Sequence, residues 1–146
     1  MVSKDTIVLM TDGTKKKIKD IRIGDMIESS QGSISKVNDV WSGYEDRLIA
    51  LEFSCGIHIY LSEDHPVLCG DSWIKAIEVE IGNHIRTYDD DECSIIGKKI
   101  VDNDSIVYNL DLNNQDEGFW AEKIAVGDIE VQNRICNSKA CNPIEP

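Results

Sequence analysis

The sequence predicts an all-β fold of about a dozen short strands, organised as two related halves. Runs of β-branched and aromatic residues alternate with turn signals along most of the 146 residues, and no long amphipathic helix pattern interrupts them. An internal repeat relates the two halves at an offset of 58 residues. We therefore expect one domain with a duplicated β-structure, large enough to bury a core.

The first half is predicted to consist of short strands joined by tight turns. Each strand is a run of apolar and β-branched residues, and the turns contain Gly, Asp or Ser. Residues 18–25 form a single helical turn that ends at Gly24, because glycine accepts the left-handed conformation that closes a helix. The predicted strands of this half are 6–10, 26–27, 34–41, 48–53 and 57–61.

The second half repeats this alternation of strand and turn. A second short helical turn ends at Gly82, and a polar loop covers residues 113–118. Strands this short, without a long helix between them, are typical of an all-β fold. The predicted strands of this half are 67–69, 84–88, 95–101, 106–112, 119–121 and 124–126.

The repeat links the two halves in three separate places, which favours a pseudo-twofold structure over chance similarity. In the best-matched segment, apolar positions, a glycine and an acidic residue coincide. Related halves would bring equivalent strand starts together, so we expect His65 to face the start of the chain. The matched pairs are 18–27 with 76–85, 8–10 with 66–68, Thr6 and Ile7 with Asp64 and His65, and, with a shift of one residue, 48–51 with 107–110.

The charge balance excludes some classes of partner. Asp and Glu number 27 against 15 Lys and Arg, giving a net charge of −12. Nucleic acids and anionic membrane surfaces both reward clustered basic residues, so neither is expected as a partner. The only basic cluster, Lys15 to Lys17, is interpreted as a solvated loop. No apolar run of membrane-spanning length and no signal-peptide pattern occurs, so we expect a soluble domain.

The cysteines leave one question open. Five are present, an odd number, and no pair has the spacing of a zinc site, so we expect no bound metal. A disulfide between Cys136 and Cys141 is compatible with an oxidising compartment, but the sequence does not decide whether it forms.

The stretch around His65 is the strongest candidate site. Ser62 lies three residues upstream, Asp64 is adjacent and a proline follows, so the imidazole is predicted to lie at a bend between two strands. An ordinary strand–turn–strand with a surface histidine is the alternative, because single-histidine patterns are weak evidence.

Three blocks of the chain resemble the sequence blocks of Hint domains, the superfamily of inteins, bacterial intein-like domains and Hedgehog autoprocessing domains. Residues 1–27 resemble the opening block, and residues 62–65 resemble the second block, which reads Thr-x-x-His. Residues 107–128 resemble the closing block. The blocks follow the family's order, and the interval between the second and third is too short for a homing endonuclease.

The resemblance implies a minimal domain of the bacterial intein-like type, with a horseshoe of short strands. The Hint domain would cover residues 1–128, and residues 129–146 would be a flanking segment with a disordered end. Such a domain is expected to act as a monomer on its own flanking polypeptide. It is expected to be part of a larger bacterial protein; its location is left open, and a secreted or surface-associated protein is one alternative.

The resemblance also implies a chemistry. In this family a Cys or Ser at position 1 attacks the carbonyl just upstream, turning a peptide bond into a thioester or ester by an acyl shift. It gives His65 the role of protonating the departing nitrogen, and Ser62 that of holding the strained bond and the oxyanion. The implied activity is single-turnover autocleavage, with splicing or ligation in the native context, and no cofactor is expected.

The chain departs from the family at several of these positions. Met1 occupies the nucleophile position, and a thioether cannot attack a carbonyl in this way. Gly127 and Asp128 stand where a histidine and a final asparagine are expected, and Ile129 supplies no following nucleophile, so splicing is not expected. Five further residues are candidate modulators of the site: Thr6, Asp64, Cys69, Asn109 (in place of an Asp) and Glu117 (in place of a His).

Three questions stay open: the origin of Met1, the position of the C-terminal junction and the function. Met1 is explained by a start codon replacing a Cys, which we favour, by deliberate removal of the nucleophile, or by natural loss. The C-terminal junction falls at Asp128 by its spacing from residues 119–121, but 131–133 also mimics the family's Val-His-Asn and places it at Asn133. The domain is therefore uncertain as an enzyme, and the competing function is a catalytically inactive Hint-fold scaffold or interaction module.

Overall fold

The computed structural model describes residues 1–114 and 116–137. Within them the chain forms fourteen strands, two 3₁₀ turns (Ile18–Asp20 and Ala76–Glu78) and one helix, α1 (Ile129–Asn137). The strands are β1 (Val2–Ser3), β2 (Ile7–Leu9), β3 (Lys15–Lys17), β4 (Met26–Glu28), β5 (Ile34–Tyr44), β6 (Arg47–Phe53), β7 (His58–Leu61), β8 (Pro66–Cys69), β9 (Ser72–Lys75), β10 (His84–Arg86), β11 (Glu92–Asp102), β12 (Ile106–Leu112), β13 (Phe119–Ala121) and β14 (Ile124–Val126).

The strands form two antiparallel sheets around one core. The larger sheet has the order β10-β11-β6-β7-β1-β12-β5-β4, and the smaller has the order β3-β2-β13-β14-β8-β9. Alternate side chains of both sheets contribute to a single apolar cluster, in which residues such as Phe53 and Phe119 are almost fully buried. The all-β prediction is confirmed.

The predicted repeat is present in the structure. The two 3₁₀ turns start 58 residues apart, as do β4 and β10, and β5 and β11. Strands β6 and β12 start 59 residues apart, which is the predicted shift of one residue. The longest strands are exchanged, since β5 of the first half pairs with β12 and β11 of the second half pairs with β6. Each half therefore supplies the pairing partner for a long strand of the other half within the larger sheet.

One detail of the predicted repeat is wrong by a residue. Val8 pairs with Lys16, and Val67 pairs with Ile74, so Val67 rather than Pro66 is the counterpart of Val8. The backbone hydrogen bonds agree, because the first residue of each 3₁₀ turn donates to the carbonyl of Thr6 in one half and of His65 in the other. Thr6 is therefore the counterpart of His65 rather than of Asp64.

The interpretation of the lysine cluster as a loop is also wrong. Lys15–Lys17 forms β3, which pairs with β2 at the edge of the smaller sheet. Lysines at an exposed edge discourage pairing with another chain, so these charges protect the sheet.

Helix α1 was not predicted and packs closely on the fold. Ile129 is 6% exposed and Val131 is fully buried, so residues beyond 128 belong to the folded structure. The domain boundary at residue 128 stays a prediction, and the predicted disordered end, 138–146, lies outside the described residues. In the part that the structure describes, no helix is long and apolar enough to cross a membrane.

A disulfide that the sequence did not reveal joins Cys55 to Cys93, with Cα atoms 5.8 Å apart. It ties the turn after β6 to strand β11. Among the described residues Cys69 is a free thiol. The question of Cys136 and Cys141 is not resolved, because the Cys136 side chain and all of Cys141 lie outside the described part.

Candidate active site

Strand β1 fixes the start of the chain inside the larger sheet. Val2 pairs with Tyr108 on one side and with Leu61 on the other, and its side chain is fully buried. The Met1 carbonyl accepts a hydrogen bond from the Ser62 N–H at 2.7 Å. Val2 is therefore held from both sides by strand pairing, and the residue-1 carbonyl is held on the Ser62 side.

The nitrogen of residue 1 has two acceptors. It donates to Ser62 Oγ at 2.6 Å and to Gln132 Oε1 at 3.1 Å. Ser62 Oγ in turn donates to the Asp64 carboxylate at 3.2 Å. Ser62 and Gln132 are 1% and 9% exposed, so water competes little with these bonds. The structure brings Ser62 Oγ to the nitrogen of residue 1.

Burial controls the protonation of this nitrogen. It lowers the pKa of the Met1 amine from 8.0 to about 5, although the negative charges of Asp64 and Glu45 oppose the shift. The pKa of Glu45 is raised, mainly by its own burial. The Met1 amine is therefore neutral at pH 7, with both acceptors still in place.

His65 is completely buried in the turn between β7 and β8. The backbone N–H of His65 donates to the Ser62 carbonyl, and the His65 carbonyl accepts from the backbone N–H of Ala76, so the backbone at His65 is fixed. Neither ring nitrogen has a hydrogen-bond partner within the described ranges. Burial lowers the pKa of His65 well below 6.5, and the positive charge of the Met1 amine, when that amine is protonated, lowers it further. The Gly127 backbone opposes this shift, although it makes no hydrogen bond with the ring. A buried imidazole without partners is a group to explain, and a catalytic role is one explanation.

Helix α1 supplies a further side chain to the site. Besides the residue-1 nitrogen, Gln132 Oε1 accepts a hydrogen bond from Asn109 Nδ2 at 2.9 Å. Asn109 is fully buried in β12. In the sequence, Gln132 is marked only by the alternative closing register. That similarity of residues 131–133 to Val-His-Asn was the signal that could have identified it.

Asp128 caps helix α1. Its Oδ1 accepts from the Val131 N–H and its Oδ2 from the Leu112 N–H, both at 3.1 Å. Its backbone carbonyl accepts from the Gln132 N–H at 3.0 Å, the first hydrogen bond of the helix. These bonds give Asp128 a structural role, and the junction role implied by the family stays a prediction.

Gly127 lies where no side chain fits. A Cβ at this position would come within 2.9 Å of Pro66 Cβ and Cγ and of Val131 Cβ. The Gly127 N–H also donates to the Pro66 carbonyl at 3.0 Å, which holds the backbone against β8. The departure from the family's histidine at this position thus has a steric reason, since helix α1 fills the space.

The remaining candidate modulators have contacts elsewhere. Thr6 Oγ1 pairs with Ser3 Oγ at 3.0 Å. Glu117 accepts from Ser29 Oγ at 2.6 Å and from a second serine, and these bonds lower its pKa while fixing a turn. Burial raises the pKa of Cys69 to about 11, so this thiol stays protonated and weakly nucleophilic at neutral pH.

We expect the Asp128 carboxylate to make stability fall as pH rises from about 4 to 6. Burial raises its folded pKa from 3.8 to about 6, so the folded state binds the extra proton in this window. The contribution of Asp128 to the free energy of unfolding is full below pH 3.8 and is lost as the pH rises through 6. At about 1.4 kcal/mol per pKa unit it amounts to about 3 kcal/mol. Asp128→Asn keeps a good cap without the charge, so urea unfolding at several pH values should lose this slope. Glu80→Gln, which removes an exposed carboxylate elsewhere in the chain, should keep it, and equal slopes for Asp128→Asn and the parent would refute the assignment.

Comparison with known proteins relates this geometry to solved structures. No protein-family model and no curated protein matches the sequence. The gp41-1 intein is 18% identical over 87% of this chain and 97% of its own, with a TM-score of 0.76. A bacterial intein-like domain from Clostridium thermocellum is 18% identical over 87% and 96%, with a TM-score of 0.76.

A third match is a DnaB intein from Synechocystis sp. PCC 6803, which is 20% identical over 87% of this chain and 96% of its own, with a TM-score of 0.76. This chain has the Hint fold. The fold implied by the three sequence blocks is confirmed. The sequence identity to these structures is low, at 18–20%, and no family model matches the sequence.

Within this Hint fold the site is assembled from both halves and from the helix that follows them. Ser62 and His65 come from the turn between β7 and β8, and Asn109 comes from β12 in the second half. Gln132 comes from α1. Strand β1 carries residue 1 between β7 and β12, where Ser62 and Gln132 accept hydrogen bonds from its nitrogen and Asn109 donates to Gln132.

Proposed function

We propose that this chain is a self-processing domain that activates the peptide bond preceding residue 1, leading to cleavage of its own polypeptide there. One observation carries the proposal. The residue-1 nitrogen lies 2.6 Å from Ser62 Oγ, in the same turn as His65, whose fully buried ring has no hydrogen-bond partner among the described residues. Similarity to intein structures supports this class of chemistry.

The reaction requires a nucleophile at residue 1. With Cys there, Sγ attacks the upstream carbonyl carbon, the C–N bond breaks and the acyl group is transferred to sulfur. The thiol loses one proton and the departing nitrogen gains one; His65, neutral at pH 7 because its pKa is held well below 6.5, takes a proton as base and then delivers one to the nitrogen as acid. The products are a thioester and the free residue-1 amine. The Met1 thioether cannot take this step, so the chain with Met1 does not process this bond.

The pocket suits the amine that this step releases. Because burial lowers the pKa of the amine to about 5, the product is a neutral NH₂ group at pH 7, and His65 has to supply only one proton. A neutral amine can also attack the thioester and reverse the shift. Net cleavage therefore requires an added thiol or water to consume the thioester.

The direct test places Met1→Cys behind a short N-terminal reporter. We expect release of the reporter within a day at neutral pH when dithiothreitol is added, because the external thiol exchanges with the thioester. Mass spectrometry of the released fragment should identify the bond that breaks. Met1→Ala is the matched control and should release nothing. Absence of thiol-dependent release from the Met1→Cys chain would refute the proposed activity.

The second candidate function is a non-catalytic Hint-fold scaffold or interaction module. The C-terminal junction favours it, since Gly127 leaves no room for a histidine and Asp128 is engaged as a helix cap. Met1 at the nucleophile position agrees with it. A chain that folds with Met1→Cys and still releases no reporter would support this alternative.

A further inference from the structure

We propose that Gln132, held in orientation by Asn109, is a positioning residue for the nitrogen of residue 1 during processing. The inference rests on the proposed function and extends it, because it gives helix α1 a part in a reaction at the opposite end of the chain. It is carried by a connected series of hydrogen bonds in the described structure.

The series begins at Asn109, whose side-chain amide can point only one way. Its Oδ1 accepts the N–H of Leu110 at 2.8 Å, so its Nδ2 must face Gln132. Because Nδ2 is a donor, the Gln132 atom that faces it must be the acceptor Oε1. The same Oε1 then lies 3.1 Å from the residue-1 nitrogen. Asn109 therefore determines that Gln132 offers an acceptor to this nitrogen.

Two acceptors at one nitrogen match the product of the acyl shift. A peptide nitrogen carries one hydrogen, whereas the neutral amine released from it carries two. Ser62 Oγ and Gln132 Oε1 provide one acceptor for each hydrogen, at 2.6 and 3.1 Å. The second hydrogen bond forms only as the nitrogen is protonated, so it stabilises the transition state more than the ground state.

The identity of residue 109 follows from the same logic. The sequence resemblance expects an Asp there, which would present acceptors on both sides. Gln132 would then rotate its amide to donate from Nε2, and the residue-1 N–H would face a donor instead of an acceptor. Asn109 and Gln132 therefore form a matched pair, and Asn109→Asp should impair processing through Gln132.

The test uses the Met1→Cys chain with its N-terminal reporter. We expect Gln132→Met, which has similar length but only a weak thioether acceptor, to slow thiol-dependent release about tenfold, the size expected for one buried hydrogen bond. Gln132→Glu keeps the acceptors and should stay within about threefold of the parent. Asn109→Asp should slow release as Gln132→Met does. Glu130→Gln is the matched control on the same helix and should leave the rate unchanged.

The outcomes separate this inference from the proposed function. If the Met1→Cys parent releases its reporter, an unchanged rate in Gln132→Met, or equal losses in Gln132→Met and Gln132→Glu, would overturn the role of Gln132. If the parent releases nothing, the proposed function fails.

The contact can then be tested without cleavage, by NMR titration of the residue-1 amine in the Met1 chain. The pKa of this amine should fall in Gln132→Met and rise in Gln132→Glu, while Asp64 and Glu45 act alike in all variants. If the pKa of this amine stays the same in both variants, the inference is overturned, whatever the cleavage assay shows.

Discussion

Replacing His65 with alanine in the Met1→Cys chain is expected to slow thiol-dependent release at least about a hundredfold, within the range for loss of a general acid. The physical reason is that the departing nitrogen must gain a proton in a pocket closed to water. His65 is fully buried there, and neither ring nitrogen is engaged by another described group. The rate of reporter release, followed by gel or mass spectrometry, measures the effect.

Two variants separate proton delivery from folding. His65→Gln keeps a polar side chain of similar size and should remain as slow as His65→Ala, because an amide does not exchange protons in this pH range. His58→Ala removes an exposed histidine from β7 and should leave the rate unchanged. An unchanged rate in His65→Ala, with the fold intact, would eliminate the role given to this imidazole.

Restoring the family's histidine by Gly127→His is expected to destabilise the fold by at least about 3 kcal/mol, the upper range for overpacking a filled core. The first side-chain carbon would already lie 2.9 Å from Pro66 and Val131, and the imidazole would have to displace helix α1. The free energy of unfolding in urea measures the loss. A histidine is therefore not expected to be accommodated at this position by a single substitution.

Gly43→Ala is the control for this prediction. Its added methyl group would meet only the Met1 side chain, at 3.6 Å, which is ordinary van der Waals contact. It should change the free energy of unfolding by no more than about 0.5 kcal/mol. A Gly127→His chain as stable as the parent would mean that helix α1 does not pack against Gly127 in solution.

The repeat could be predicted because burial fixes its pattern. Ile18, Ile21 and Ile27 are buried in one half, and Ala76, Val79 and Ile85 occupy the equivalent buried positions in the other. Side chains that must fill a core keep their apolar character, so the periodicity is readable from the chain itself. The turn with Ser62 and His65 could be found because a serine, two acidic residues and a histidine followed by proline stand together between two apolar runs.

Other features depend on contacts that the sequence does not display. Strand β3 has no apolar alternation, since its lysines lie at an exposed edge. Helix α1 is short and contains β-branched residues with low helix propensity, and it forms because Asp128 caps it and Val131 is buried. Gln132 was not identified as a site residue because that helix was not predicted. The bond between Cys55 and Cys93 joins residues 38 positions apart, a pairing that five cysteines leave undetermined.

The exchange of long strands between the halves has a consequence for synthesis on the ribosome. Strand β5 can pair with β4 as soon as residue 44 has emerged, but its other edge remains open until β12, residues 106–112, has been made. An open edge of eleven residues is a template for pairing with other chains. The nascent domain is therefore most vulnerable to aggregation during translation of its second half, and its long strands are completed only near the end of synthesis.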